Sequence, residues 1–167
     1  MLLALGAKVK LLSVGGSREV PLEQFFKDYY ETVAQPDELI SEVTIPIPRS
    51  GTGASYLKFL PRTADDYATV GVAASVTVDA GSGICRECRI AMGCVGPTPM
   101  RVPDAEALLL GQTLTPELLR EAGAAAEKST DPISDARGEA GYKRAMAGVF
   151  VRRALQQAWQ RALSGHP

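Results

Sequence analysis

Tyr56-Leu57-Lys58-Phe59-Leu60-Pro61-Arg62-Thr63-Ala64-Asp65-Asp66-Tyr67-Ala68-Thr69-Val70-Gly71-Val72-Ala73 reads as strand, short loop, strand. A lysine precedes the loop, and an acidic pair and a tyrosine close it. Ser55 to Phe59 is the first of three strand-like segments. Thr69 to Asp79 is the second, with Val70, Val72, Ala74, Val76 and Val78 on one face. Gly81-Ser82-Gly83 makes a turn, and Ile84 to Val95 returns with Ile84, Cys88, Ile90, Met92 and Cys94 sharing a face. The natural arrangement is an antiparallel meander.

Helices follow the meander. Asp104 to Leu110 forms a short one that stops at Gly111. Thr115-Pro116-Glu117 offers an N-cap, a first-turn proline and a first-turn acid, opening a helix to about Lys128. A last helix runs from about Glu139 to Leu163, with Tyr142, Met146, Val149 and Phe150 as an apolar stripe.

Upstream, Leu5 to Leu12 reads as a strand, Gly15-Gly16-Ser17 as its turn and Arg18 to Pro21 as the return. Leu22 to Phe26 suggests a brief helix. Leu39 to Pro46 alternates as a half-buried strand would. The run Pro46-Ile47-Pro48-Arg49-Ser50-Gly51-Thr52-Gly53 is the best boundary, dividing residues 1–48 from residues 53–163. The expected fold class is α+β: the tail of one lobe, then a three-stranded antiparallel sheet packed with helices.

The 167 residues are 46% hydrophobic, enough for one ordinary core or two small lobes. Net charge is −1 with scattered basic residues, which argues against nucleic acid. The single histidine, His166, reads as a tail residue and disfavours mechanisms that need an internal histidine. No apolar run approaches the roughly 20 residues of a membrane span. Three cysteines fit a reducing compartment, so the expected location is cytoplasmic.

The Tyr56–Ala73 run resembles the flavin-facing loop of the FAD-binding medium subunits of molybdenum hydroxylases, the carbon monoxide dehydrogenase and xanthine dehydrogenase family. Gly6-Ala7-Lys8-Val9, Phe25-Phe26 and Pro36-Asp37-Glu38-Leu39-Ile40 resemble the tail of that family's FAD-binding domain. Val95-Gly96-Pro97-Thr98-Pro99-Met100-Arg101, Tyr142-Lys143-Arg144 and Val151-Arg152-Arg153-Ala154-Leu155 resemble its C-terminal flavoprotein domain. The resemblance implies FAD as cofactor, with Ile40 against it, Lys58 near it and Tyr67 over the isoalloxazine. It also implies that residues 59–68 gate the acceptor's access. The implied partners are a molybdenum-cofactor large subunit and an iron–sulfur small subunit. Electrons would pass from the clusters through FAD to an external acceptor.

Family members carry two glycine-rich stretches whose backbone amides hold the FAD pyrophosphate. This sequence has none, since Gly15-Gly16 belongs to a turn. The chain is therefore expected to be the C-terminal part of such a subunit, to hold FAD weakly or not at all, and to be inactive alone. The alternative is a cofactor-free docking module for the other subunits. Exposed strand edges would also invite self-association.

Plainer readings stand beside these. Lys58 is also a plausible solvated lysine, Tyr67 a loop-capping aromatic and Ile40 ordinary core. Asp65-Asp66 suits a turn and cap better than acid–base work. Cys85-Arg86-Glu87-Cys88 has metal-like spacing, but residues three apart in a regular strand face opposite ways. Cys94 is expected in the core, and Trp159 is a weak marker of a contact surface.

Overall fold

The computed structural model describes residues 1–60 and 67–165. Asp65, Asp66, His166 and most of the proposed gating loop lie outside the described residues.

The first lobe holds five short strands: β1 (Lys8–Ser13), β2 (Gly16–Pro21), β3 (Phe26–Asp28), β4 (Glu31–Thr32) and β5 (Leu39–Thr44). They form a three-stranded sheet in the order β2-β1-β5 and a separate β3–β4 hairpin. The expected brief helix is a single 3-10 turn, Leu22–Gln24. Val9, Leu11, Val20, Leu22 and Phe25 form the lobe's core. An ion pair sets the path into β5. Arg18 donates to Glu38 at 2.7 Å and to the Val33 carbonyl at 2.8 Å. The guanidinium, and then the Gln35 N–H, hold the Glu38 carboxyl down to a pKa of about 2.

β5 does not behave as the expected half-buried strand. All six of its residues are exposed, Ile40 among them. It pairs with β1 along one edge, and its side chains on both faces are exposed.

The second lobe contains β6 (Thr52–Phe59), β7 (Val70–Val78), β8 (Cys85–Gly93), β9 (Met100–Arg101), α1 (Pro103–Leu109), α2 (Pro116–Lys128) and α3 (Ala140–Ser164). The sheet order is β6-β7-β8-β9, all antiparallel, so a two-residue strand extends the expected three-strand meander. α3 lies across one face, where Val70, Val72, Ala74, Val76 and Val78 meet Val151, Ala154, Leu155 and Ala158. Phe59 stacks on Phe150 with ring centroids 5.0 Å apart, a contact worth roughly 1 kcal/mol beyond its buried area. Thr115 caps α2, its hydroxyl accepting from the Leu118 N–H at 3.2 Å. The α3 stripe differs from the expectation. Its buried face is mostly small residues such as Ala147, Gly148 and Ala158, while Tyr142 is exposed. Trp159 packs partly against this core.

Two features of β8 depart from the sequence reading. The register slips between Thr77 and Val78, so Val78 pairs with Cys85 and Val76 with Cys88. The bulge inserts one extra residue, and both cysteines then face the core. Cys94 leaves the strand altogether. It takes a left-handed conformation at φ 65° and is exposed.

The two lobes meet on the opposite face of the second sheet. Ala73 and Ala91 of that face belong to the first lobe's core. Arg101 bridges the lobes, pairing with Glu106 on one side and with Glu23 at 3.1 Å on the other.

Candidate functional site

Side chains alternate along a strand, so the residues between the valines of β7 face the first lobe. One cross-strand row on this face is nearly bare. Lys58 lies opposite Gly71, and Gly71 lies opposite Gly93. A methyl group added at Gly93 would meet nothing within 4 Å, whereas one at Gly71 would stand 3.2 Å from the Tyr56 hydroxyl. The result is a short shelf: open backbone at Gly93, a buried Gly71 lying against the Tyr56 ring, and a lysine at its outer end. Lys58 is exposed, which suits a cation that meets a ligand at its rim.

The shelf runs into a cleft. Directly after Gly93, Cys94 turns outward and lines a cavity of about 400 Å³. Tyr29, Tyr30, Tyr67, Arg137 and Lys143 line it as well. Desolvation raises the Cys94 thiol's pKa, and the charges of Arg137, Lys143 and Lys58 partly offset it. Lys58 and the cleft therefore share one electrostatic neighbourhood.

Both lobes contribute to this cleft. Asp28 pairs with Glu31 across β3 and β4, which leaves Tyr29 and Tyr30 as the two turn residues. Tyr30 is held at φ 56°, an uncommon conformation for a bulky residue. The Asp28 carboxylate accepts the Tyr29 N–H at 2.8 Å, which fixes the turn. Tyr67 comes from the second lobe. Its ring is 79% exposed, and the Arg137 guanidinium lies 5.3 Å from its centroid.

Below them, Lys143 is almost wholly buried on α3. It bonds to Asp135 at 2.7 Å and to the Ile133 carbonyl at 2.9 Å. That bond, and then the Arg137 N–H, lower the Asp135 pKa. A buried lysine paired with a carboxylate and a backbone carbonyl makes a rigid base for the cleft.

Of the three residues singled out in the sequence, Tyr67 lines the cleft and Lys58 ends the shelf beside it. Ile40 stands apart on β5, opposite Leu11 and 52% exposed, and is not among the cleft's lining residues. Sequence reasoning missed Tyr29, Tyr30, Arg137 and Lys143. Asp28-Tyr29-Tyr30-Glu31, an aromatic pair between two acids, was the available signal for a hairpin tip. Arg137 and Lys143 carried none, because their roles depend on the connection between α2 and α3.

Residues 55–158 match the CO dehydrogenase flavoprotein C-terminal domain. Residues 1–48 match the FAD binding domain in molybdopterin dehydrogenase. The carbon monoxide dehydrogenase medium chain of Afipia carboxidovorans is 38% identical over 158 residues, 95% of this chain and 54% of its own length. The nicotine 6-hydroxylase medium subunit of Paenarthrobacter nicotinovorans is 35% identical over 161 residues, 96% of this chain and 55% of its own length. The solved carbon monoxide dehydrogenase of Hydrogenophaga pseudoflava superposes with a TM-score of 0.90 at 40% identity, covering 96% of this chain and 55% of that one. The chain spans about half the length of the curated relatives it matches. It belongs to the family of FAD-binding medium subunits of the molybdenum hydroxylases, among them carbon monoxide dehydrogenase, and carries the family's C-terminal flavoprotein domain.

Proposed function

We propose that this chain builds one side of the flavin site of a carbon monoxide dehydrogenase-like molybdenum hydroxylase. The observation that carries the reading is the Lys58–Gly71–Gly93 row opening into the tyrosine-lined cleft. An isoalloxazine needs a flat floor, an aromatic face and a cation near its rim; the open backbone at Gly93, the tyrosines of the cleft and the exposed Lys58 are of those types. The fit covers the ring end of FAD. The sequence offers no glycine-rich loop for the pyrophosphate.

FAD, when bound, supplies the electron relay between iron–sulfur clusters and an external acceptor. This chain's own residues bind and orient. Lys58 favours the more electron-rich state of the ring, and Tyr67 covers a ring face and limits water. Ile40, exposed on β5 and outside the cleft, would lie against a part of the FAD other than the ring seated there. Residues 1–48 would be the end of the FAD-binding domain and residues 53–163 the C-terminal domain. The partners would be a molybdenum-cofactor large subunit and an iron–sulfur small subunit, in the cytoplasm.

Stacking quenches flavin emission, so titrating FAD with the chain tests this reading. Saturable quenching is expected, weakened about fivefold in Lys58→Ala through loss of one exposed charge contact. An unchanged emission across the titration would overturn the reading.

One observation favours a second reading, a cofactor-free docking module. Leu39, Ile40 and Val43 are exposed on an edge strand, the kind of surface that pairs with another chain. That reading predicts no quenching. It also predicts self-association or subunit binding, visible by light scattering, and a strictly monomeric chain at high concentration would count against it.

A further inference from the structure

Tyr67 is 79% exposed, so burial does little to set the direction of its ring. The ring nevertheless has a directional neighbour, the Arg137 guanidinium 5.3 Å from its centroid. We infer that Arg137 is a positioning residue, which holds the Tyr67 ring in the orientation that lines the cleft. The functional consequence rests on the flavin reading above; the orientation itself does not.

Arg137 is well placed for this because its backbone is locked. Asp135 and Gly138 exchange two backbone hydrogen bonds, at 3.1 and 3.0 Å, closing a tight turn around it. The Asp135 carboxylate accepts the Arg137 N–H at 2.8 Å. Asp135 is itself gripped by the buried Lys143 ammonium at 2.7 Å. The Thr69 hydroxyl donates to the Arg137 carbonyl at 3.4 Å, and Thr69 is 1% exposed. Thr69 lies two residues from Tyr67. One turn thus holds the Tyr67 segment twice, through the Arg137 carbonyl that accepts the Thr69 hydroxyl and through the Arg137 guanidinium at the Tyr67 ring. A long side chain on a fixed backbone loses less freedom in making such a contact than one on a mobile loop. An exposed cation–π contact biases the ring's orientation by about 2- to 5-fold.

The test uses the whole chain with ¹³C-labelled tyrosine, the Tyr67 ring signals being assigned with Tyr67→Phe. Arg137→Gln keeps polarity and removes the cation, while Arg137→Lys keeps the cation. The expected result is that Gln moves the Tyr67 ring signals towards those of a free tyrosine, Lys restores them, and the other four tyrosines and the melting temperature stay put. In the FAD titration, Arg137→Gln should weaken binding about 2- to 5-fold, and should add nothing in a Tyr67→Ala background. Unmoved Tyr67 signals in Arg137→Gln would overturn the inference, as would equal effects of Gln and Lys. A fall in melting temperature with shifts at every tyrosine would also overturn it, by showing a general structural role. If the ring signals respond but no variant, nor the unaltered chain, binds FAD, the positioning stands and the flavin reading fails.

Discussion

Lys58, Gly71 and Gly93 acquire their meaning only side by side. Each is unremarkable alone, and two of them are separated by more than twenty residues of chain. Their alignment follows from the β6–β7 and β7–β8 registers. The open backbone at Gly93 yields a clean prediction. Gly93→Val adds a side chain where a methyl group would meet nothing within 4 Å, and the residue has ordinary strand geometry. Stability should stay within about 0.5 kcal/mol of the parent chain, while flavin quenching falls about tenfold or more. Retained quenching in a folded Gly93→Val chain would place the ring elsewhere. At this scale the sequence singled out Lys58 and Tyr67 through the family likeness, and the structure places Tyr67 on the cleft and Lys58 in the row beside it. The sequence misplaced Cys94, because strand alternation was extended one residue too far, past the left-handed turn at φ 65°. It also misjudged Cys85 and Cys88, because the bulge that turns both inward is set by pairing with β7 and has no local signature.

Helix limits were the most legible elements. The Thr115 cap with Pro116, and Gly111 just past α1 at φ 74°, are local chemistry, and local chemistry is what a sequence displays. The buried face of α3 was not legible, since the expectation followed large apolar residues. The sheet lies so close to this helix that small residues are needed instead. Gly53 shows how close: a Cβ there would stand 2.1 Å from the Ala158 carbonyl oxygen and 2.3 Å from the Ala162 nitrogen. Such contacts force backbone apart. Gly53→Ala should therefore lower stability by roughly 1–3 kcal/mol in urea unfolding, with flavin quenching altered only in step with the folded fraction. An unchanged unfolding midpoint would mean that β6 and α3 have room to spare. β5 was misread for a reason of the same kind. Alternation shows that a strand can be buried on one face, and burial itself needs a neighbour.

The whole molecule places its candidate site at a junction. The first lobe supplies Tyr29 and Tyr30 and the second supplies Tyr67, Cys94 and Arg137. Two ties fix the lobes' relation: the shared core at Ala73 and Ala91, and the Glu23–Arg101–Glu106 bridge. The Glu106 carboxylate also accepts the Ile90 N–H at 2.8 Å, which anchors the bridge to the sheet. On the proposed reading both lobes would meet the ring end of a flavin, whereas the sequence offers no glycine-rich loop for the pyrophosphate end. Riboflavin, which carries the ring without pyrophosphate or adenine, isolates the part of the site that this chain contains. The most direct measurement is a titration of the ¹⁵N-labelled chain with riboflavin, followed by amide chemical shifts. Saturable shifts at Tyr67, Gly71, Gly93 and Cys94 are predicted. Shifts confined to the helical face of the sheet, or no shifts at any concentration reached, would contradict the account.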